Sequence, residues 1–269
     1  MSYWRNKTVL ITGGSAGLGL QLARALATEG ARLAVCGRGV ARLEQAADSL
    51  RGLGADVLAV PADVATAGQT RRVVDQTVER FGGLDCACAC AGQSMRGAVV
   101  DTPRSKFEEL LAVNFLAPLD LAHAAGPHLE AVKGHLVLIG SLATKAAPKH
   151  IGAYPASKHP LAALAQQLRL ERGPEGLHVL LVCPGPIQGQ ASTGRYDEQA
   201  EGLPEAAKKP GGGAKVKLID PEKLARKILT ACEQRKSELV IPKKARLLFA
   251  AAQLSPALGD WLISKNMGE

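Results

Sequence analysis

The sequence predicts an α/β fold: one doubly wound parallel sheet of about seven strands, with helices on both faces. Short apolar and β-branched runs alternate along the chain with longer amphipathic runs, which is the pattern of repeated strand–helix units. Hydrophobic residues make up 46% of the 269 residues and charged residues 22%, as expected for a globular protein with a large core. No internal repeat or linker divides the sequence, so residues 1–269 are expected to form one domain.

Each strand is predicted from an apolar run, and each helix from apolar residues that recur at helical spacing. The predicted strands are 8–12, 32–36, 56–61, 84–90, 134–140, 177–183 and 238–241. The predicted helices are 17–29, 40–53, 67–81, 105–129, 154–173 and 221–234. Two stretches fall outside this alternation. Residues from about 188 to 217 predict a loop or helical excursion that serves as a substrate lid. Residues from about 243 to 269 predict a C-terminal extension of two short helices.

The composition excludes several classes of protein. Four Phe, three Tyr and two Trp are too few for a nucleic-acid reader built on stacked aromatic rings. No apolar run reaches the roughly 18 residues of a transmembrane helix. The first residues run directly into a strand and leave no room for a signal peptide, so we expect a cytoplasmic location. The six Cys and six His show no spacing typical of metal ligands, and no metal site is expected.

Positive charge is concentrated near the C-terminal end. The chain carries a formal net charge of +8, and residues 205–246 contribute twelve Lys or Arg against five Asp or Glu, a local net charge of +7. A solvated helical face explains such a run, and so does a surface that meets phosphate, an acidic partner or an anionic membrane. Both interpretations remain open from the sequence.

A glycine-rich turn follows the first predicted strand and opens the first predicted helix, and it reads Thr12-Gly13-Gly14-Ser15-Ala16-Gly17-Leu18-Gly19. Its glycines let the backbone turn tightly and bring N–H groups close to a pyrophosphate at the helix N-terminus. We therefore expect a dinucleotide to bind along this turn, at Gly13, Ser15, Ala16, Gly17, Leu18 and Gly19.

The end of the second predicted strand indicates which dinucleotide binds. An acidic residue there would accept hydrogen bonds from the ribose of NAD, but the strand ends in Gly37-Arg38. A guanidinium binds a 2′-phosphate through charge-assisted hydrogen bonds, so Arg38 favours NADP(H). Asp63, followed by Val64, ends the third predicted strand and is placed to bond the adenine amino group or to cap a helix.

Tyr154 and Lys158 open the helix that follows the fifth predicted strand. At positions i and i+4 they share one helical face. A phenol ionises at a pKa of about 10, and a nearby ammonium stabilises the phenolate, so the pair can exchange a proton with a carbonyl or an alcohol. Ser141, at the end of the fifth predicted strand, is suitably placed to polarise the carbonyl.

With these motifs the chain resembles the short-chain dehydrogenase/reductase family, from about residue 7 to residue 241. The matching positions are the glycine turn, Asp63, Ala91-Gly92, Asn114, Ser141, Tyr154, Lys158 and Pro184-Gly185. The resemblance implies a Rossmann-type fold and a homodimer or homotetramer. It implies that Tyr154 is the acid/base, that Ser141 orients the reacting oxygen and that Lys158 binds the nicotinamide ribose and lowers the pKa of the phenol.

The resemblance also assigns the remaining site residues. Asn114 would hold a helix irregularity and a relay water, and the cofactor would further contact Val64, Ala91, Gly92, Pro184, Gly185 and Ile187. One departure is Ala89-Cys90, which stands where the family usually has two asparagines that brace the fourth strand.

The C-terminal residues are similar to those of the membrane-associated carbonyl, steroid and retinoid reductases of this family. The function so predicted is an NADP(H)-dependent oxidoreductase, a carbonyl reductase that interconverts a ketone or aldehyde with its alcohol, on a fairly apolar small molecule. Peripheral membrane contact is one expectation for the basic C-terminal region. Two alternatives remain open: a 3-oxoacyl-carrier-protein reductase, and a non-catalytic dinucleotide-sensing or scaffold protein.

Overall fold

The computed structural model describes residues 2–189 and 196–267. Its strands form one sheet in the order β3-β2-β1-β4-β5-β6-β7, and every neighbouring pair is parallel. The strands are β1 Thr8–Thr12, β2 Arg32–Gly37, β3 Val57–Pro61, β4 Cys86–Ala89, β5 His135–Ile139, β6 His178–Pro184 and β7 Glu238–Ile241. The predicted parallel sheet is confirmed.

Helices cover both faces of the sheet. They are α1 Gly17–Thr28, α2 Val40–Arg51, α3 Gln69–Phe81, α4 Arg104–Leu111, α5 Ala117–Ala131, α6 Tyr154–Lys158, α7 Pro160–Glu171, α8 Glu205–Lys208, α9 Pro221–Glu233, α10 Ala245–Leu254 and α11 Pro256–Lys265. Two buried apolar clusters lie on the two sides. Cys86 and Cys88 point into one cluster, whereas Ala87 and Ala89 point into the other, as the two-residue period of a strand requires.

Two predicted helices are interrupted. The helix expected over 105–129 is α4 and α5 joined by a π-helical turn, Ala112–Leu116, which contains Asn114. The helix expected over 154–173 is α6 followed by α7, and Pro160 lies in the first turn of α7, where its missing backbone N–H costs no helical hydrogen bond. Helical periodicity alone did not predict either interruption.

The amino ends of β5 and β6 carry a buried chain of hydrogen bonds. His178 Nε2 lies 2.8 Å from the Lys236 carbonyl oxygen, and a carbonyl only accepts, so His178 carries its proton there. Its Nδ1 then accepts from His135 Nδ1, 2.8 Å away. The Tyr3 hydroxyl in turn donates to His135 Nε2 over 2.6 Å. Both imidazoles are therefore neutral in the folded protein.

This pair also approaches a cysteine, a juxtaposition that the sequence analysis did not anticipate when it predicted no metal ligands. The ligand atoms of His135, His178 and Cys232 lie within 4.8 Å of one another. The imidazole nitrogens are, however, all engaged in the hydrogen-bond chain that ends at Tyr3 and Lys236. We assign the cluster to packing at the amino edge of the sheet.

The histidine pair predicts acid sensitivity of the fold. Burial, together with His178, Arg235 and Lys7, lowers the pKa of His135 from 6.5 to about 3. Because the folded state disfavours the proton, this stability is complete above the unfolded pKa and is lost as the pH falls from about 6.5 toward 3, by on the order of 3 kcal/mol between pH 7 and pH 4. Urea unfolding at the two pH values should show that loss, and His135→Leu should reduce it. His159→Gln, at an exposed imidazole, should leave it unchanged. Equal pH dependence in His135→Leu and the unmodified protein would contradict this account.

The predicted C-terminal extension forms two helices, α10 and α11, that pack on each other. Most of their side chains are not buried in the core, and Leu247, Leu254 and Trp261 are 77%, 88% and 56% exposed. Beyond α11, Met267 pairs with Ala214 in an antiparallel bridge. Within residues 2–189 and 196–267, no helix is both long and apolar enough to cross a bilayer.

Candidate active site

The predicted site residues follow the carboxyl ends of six neighbouring strands. In a parallel sheet these ends share one edge, so residues distant in sequence meet there. The chain leaves β1 toward one side of the sheet and β4 toward the other, which opens a crevice between them. The glycine turn follows β1, Arg38 follows β2, Asp63 follows β3, Ala91 follows β4 and Ser141 follows β5.

The glycine turn packs closely on neighbouring backbone atoms of the protein. Gly13 has a φ of +69°, and a Cβ there would lie 2.8 Å from Ala91 N. A Cβ at Gly19 would overlap the Gly13 carbonyl oxygen. Within the described chain, Ala16 supplies no side-chain hydrogen bond to cap α1, so its first N–H groups face the crevice. Ser15 and Leu18 are buried beneath the turn, whose exposed residues are Ala16 and Gly17.

Asn114 braces the segment after β4. Its Oδ1 accepts a hydrogen bond from Gln93 N at 3.0 Å, and its Nδ2 donates to Gln93 O at 2.8 Å and to Ser157 Oγ at 2.9 Å. A Cβ at Gly92 would lie 3.0 Å from Asn114 Oδ1. Thr12 Oγ1 also contacts this segment, since it accepts a hydrogen bond from Ala91 N at 3.4 Å. These bonds hold the Ala91-Gly92 segment, next to the Ala89-Cys90 departure.

Arg38 and Asp63 come together at the carboxyl ends of β2 and β3. Arg38 Nη1 lies 4.0 Å from Asp63 Oδ2, and the Arg38 side chain is 74% exposed. Asp63 Oδ1 accepts from Ala65 N at 3.1 Å, which forms a turn in the loop after β3. The helix α3 begins only at Gln69, with Gly68 as its N-cap residue, so Asp63 does not have the helix-cap role considered from the sequence. Val64 is buried behind it. Arg38 therefore makes a long, solvent-exposed ion pair at this edge.

Ser141 and Tyr154 form the polar pair of the site. Ser141 caps a 3-10 turn, Leu142–Thr144, and its Oγ accepts from Ala143 N at 3.1 Å. Burial raises the pKa of Tyr154, and a hydrogen bond from Ser141 opposes that rise. The Ser141 side chain therefore acts on the Tyr154 phenol.

Lys158 is buried below this pair. Its Nζ donates to the Ile139 carbonyl oxygen at 2.8 Å, and a Cβ at Gly92 would lie 3.4 Å from the same nitrogen. Burial lowers the pKa of Lys158 to about 8, although Cys90 and Cys183 act in the opposite direction. The ammonium therefore faces the crevice between the ends of β4 and β5.

The loop after β6 closes the other side of the crevice. Pro184 is the last residue of β6, and Gly185 N donates to Ile241 O at 2.8 Å. Ile187 is buried and pairs with Ile219 in a parallel bridge. These contacts fix the backbone that the resemblance assigns to the nicotinamide. The predicted lid, 188–217, continues from here, and its residues 190–195 lie outside the described chain.

Arg96 is a site residue that sequence reasoning missed. Its side chain is buried, and its guanidinium lies 3.9 Å from the centre of the Tyr196 ring. Both residues act on the pKa of Tyr154: Tyr196 raises it and Arg96 lowers it. Their contact joins segments that are 100 residues apart, so no local pattern indicated it.

Comparison with known proteins shows the family to which the chain belongs. The family model described as short chain dehydrogenase matches residues 7–200. The 11-beta-hydroxysteroid dehydrogenase A of Sesamum indicum is 30% identical over 260 residues, which span 95% of this chain and 74% of that protein.

Solved structures share the fold. A short chain dehydrogenase/reductase from Burkholderia phymatum, in complex with NAD, superposes with a TM-score of 0.82 at 21% identity and covers 96% of both chains. L-Sorbose reductase from Gluconobacter frateurii, complexed with NADPH and L-sorbose, gives a TM-score of 0.75 at 25% identity and covers 88% of this chain and 95% of that one. With the family model matched over 7–200 and the fold shared throughout, this chain belongs to the short-chain dehydrogenase family of oxidoreductases.

Proposed function

We propose that this protein is an NADP(H)-dependent oxidoreductase that interconverts a ketone or aldehyde with its alcohol. The observation that carries the proposal is the placement of Ser141 beside Tyr154, whose pKa it lowers, with the buried ammonium of Lys158 on the same helix as Tyr154. A substrate carbonyl oxygen placed between the Ser141 and Tyr154 hydroxyl groups would accept a hydrogen bond from each of them.

The cofactor fits the crevice on structural grounds. Gly13 packs on Ala91, and Gly19 packs on the Gly13 carbonyl, so closely that only glycine fits, which supports a tight turn at the start of α1. The N–H groups at that helix start, which no Ala16 side chain caps, can donate to a pyrophosphate. In this proposal Gly13, Ser15, Ala16, Gly17, Leu18 and Gly19 hold the pyrophosphate. Val64, Ala91, Gly92, Pro184, Gly185 and Ile187 hold the adenine, ribose and nicotinamide portions, and the nicotinamide supplies or accepts the hydride.

The chain's own residues handle the proton and the substrate oxygen. Tyr154 Oη donates its proton to the carbonyl oxygen in reduction and takes it back in oxidation. Ser141 orients that oxygen, and Lys158 places positive charge where the phenolate forms. Asn114 acts indirectly in this proposal, since its hydrogen bonds to Gln93 fix the segment that borders the nicotinamide.

A turnover screen tests this function. Ketones, aldehydes and alcohols of increasing size are incubated with the protein and each of the four nicotinamide cofactors, and cofactor absorbance is followed. We expect turnover with NADPH or NADP on apolar carbonyl compounds or their alcohols. A protein that binds NADPH but turns over nothing in a broad screen would favour the non-catalytic alternative.

Cofactor preference should follow Arg38. The exposed guanidinium gives a 2′-phosphate a charge-assisted partner, so NADPH should bind more tightly than NADH. Arg38→Ala should remove most of that discrimination, an effect of roughly 1.5 to 3 kcal/mol. Calorimetric titration of both cofactors measures it. Arg42→Ala, on exposed α2 surface, is the matched control and should keep the preference. Equal affinities in the unmodified protein would show that the NADP assignment is wrong.

The C-terminal helices suit a lid region that admits apolar substrates near an anionic membrane. Leu247, Leu254 and Trp261 are exposed in a region whose preceding residues carry the local positive charge. We expect salt-sensitive sedimentation with phosphatidylserine vesicles, because Lys and Arg gain about 1 kcal/mol each near such a surface. The double variant Leu254→Ser/Trp261→Ser should weaken it. Val100→Ser, at a side chain that is 91% exposed elsewhere, should not. No vesicle binding at low salt would assign these helices to packing.

The cytoplasmic location and the homodimer or homotetramer stay predictions.

A further inference from the structure

Arg96 lies beside the loop that leads into Tyr154. Its neighbour Gly97 pairs with Ile151 in a parallel bridge, and Met95 Sδ accepts a hydrogen bond from Ala153 N at 3.4 Å. These contacts fix the backbone of Arg96 against residues that immediately precede the catalytic helix α6. The side chain is 4% exposed, so its charge sits inside the protein.

From this position Arg96 reaches the segment 196–213, which we call the lid segment. Its Nε donates to Ala207 O at 2.6 Å, and one terminal nitrogen donates to Lys209 O at 3.1 Å. The Arg96 backbone N–H donates to Gln199 Oε1 at 3.0 Å, while the guanidinium stacks on the Tyr196 ring. One residue therefore contacts both the beginning and the middle of the lid segment, and the fixed fork of a guanidinium suits two separate carbonyl acceptors.

The C-terminal end of the lid segment is held by close packing of two glycines. A Cβ at Gly211 would lie 2.9 Å from Pro186 Cγ, and a Cβ at Gly212 would lie 2.7 Å from Ile151 Cγ2. The segment thus lies between the loop after β6 and the loop before α6. Arg96 supplies the polar attachment, whereas Gly211 and Gly212 supply close backbone packing.

Arg96 also faces the reacting phenol. The groups that shift the pKa of Tyr154 are Ser141, Tyr196, Arg96 and Cys183, in addition to burial. Arg96 is the cation in that set, and it lowers the pKa of Tyr154. Lys158, on the same helix as Tyr154, is a second cation near the site, and its ammonium donates to the Ile139 carbonyl. The residue that holds the lid segment therefore also favours the phenolate.

We propose that Arg96 is a positioning residue that holds the lid segment against the loop before α6, so that the segment forms one wall of the substrate site above Tyr154. This inference rests on the proposed function for its kinetic consequences. Its structural part, the attachment of residues 196–213, stands independently of any substrate.

Two variants distinguish the paired hydrogen bonds of the Arg96 guanidinium from its positive charge. Arg96→Met removes both, and Arg96→Lys keeps the charge but cannot bond two carbonyls in the same geometry. Arg104→Met, at a side chain that is 91% exposed on α4, is the matched control. The measurements are the rate of trypsin cleavage after the exposed Lys208, NADPH affinity, KM and kcat for a carbonyl substrate, and the pH profile of alcohol oxidation.

In Arg96→Met we expect cleavage after Lys208 to accelerate about tenfold or more and KM to rise by a similar factor, because buried charge-assisted hydrogen bonds are lost. NADPH affinity should stay within about twofold, since Arg96 lies outside the glycine turn and Arg38 region; that result also shows that the variant is folded. The pH at which alcohol oxidation is half-maximal should rise in Arg96→Met and stay unchanged in Arg96→Lys. The rate of cleavage after Lys208 in Arg96→Lys should lie between the rates in Arg96→Met and in the unmodified protein.

Unchanged cleavage in Arg96→Met, with NADPH affinity retained, would overturn the inference. So would faster cleavage without any change in KM or in the pH profile, because the lid segment would then play no part in the site. If the unmodified protein turns over no substrate, the proposed function fails, while the cleavage rates still decide whether Arg96 holds the segment.

Discussion

Replacement of Tyr154 by Phe should lower turnover by about 10²- to 10⁴-fold, the usual contribution of a positioned proton donor. The change removes Oη, on which Ser141 acts, yet it keeps the ring, which packs against a small buried cluster. NADPH affinity should therefore change by less than about twofold. Steady-state kinetics in both directions, with calorimetric titration of NADPH, measure the two effects.

A matched control is available at the opposite edge of the sheet. Tyr3→Phe removes a phenol that donates to His135, far from the crevice, and it should keep near-normal turnover. If Tyr154→Phe retained most of its activity while it bound NADPH normally, another acid would have to deliver the proton. The assignment of Tyr154 would then be wrong.

Replacement of Lys158 by Met should damage both turnover and cofactor binding, with a loss of at least about a hundredfold in kcat/KM. Met approximates the length of the buried stem, but it removes the ammonium that donates to Ile139 and faces Gly92. The proposal gives this ammonium to the nicotinamide ribose and to the phenolate, so both should lose stabilisation together.

The pH dependence of binding sharpens this prediction. The pKa of Lys158 in the free protein is lowered to about 8, so the side chain loses its charge above that pH. If the cofactor needs the ammonium, NADPH affinity should fall as the pH rises through 8, and the fall should approach tenfold per pH unit. Lys158→Met should show weak affinity with little pH dependence between pH 7 and pH 9.5. The same steep dependence in Lys158→Met would exclude Lys158 as its source.

Much of the fold follows from local pattern. The strand β1 begins and ends where its apolar run predicts, because a fully buried strand of a parallel sheet is a continuous apolar run. The edge strand β7, which is only partly buried, also has the predicted bounds. The π-helical turn at Asn114 is the helix irregularity that the family resemblance implies. Periodicity did not predict it, since it accompanies hydrogen bonds to Gln93 and Ser157, which are distant in sequence. Helix periodicity cannot report such contacts.

In the site, too, local motifs predict some residues, whereas others are brought in only by contacts between distant parts of the sequence. The glycine turn, Ser141 and Tyr154 have local motifs and positions at strand ends, so the sequence predicts that they meet at one edge. Arg96 binds carbonyls more than 100 residues away, and no rule of spacing connects them. The histidine pair was predictable in principle, because His135 and His178 are aligned partners on β5 and β6.

Transfer of deuterium from NADPH labelled at nicotinamide C4 tests the central claim most directly. The labelled cofactor, prepared with deuterium on either face, is incubated with the protein and the best carbonyl compound from the screen, and the alcohol is examined by mass spectrometry. The account predicts one deuterium on the former carbonyl carbon from one face of the cofactor, a rate lost in Tyr154→Phe and little transfer from NADH. Alcohol without deuterium from either face, or label transferred equally well by Tyr154→Phe, would contradict it.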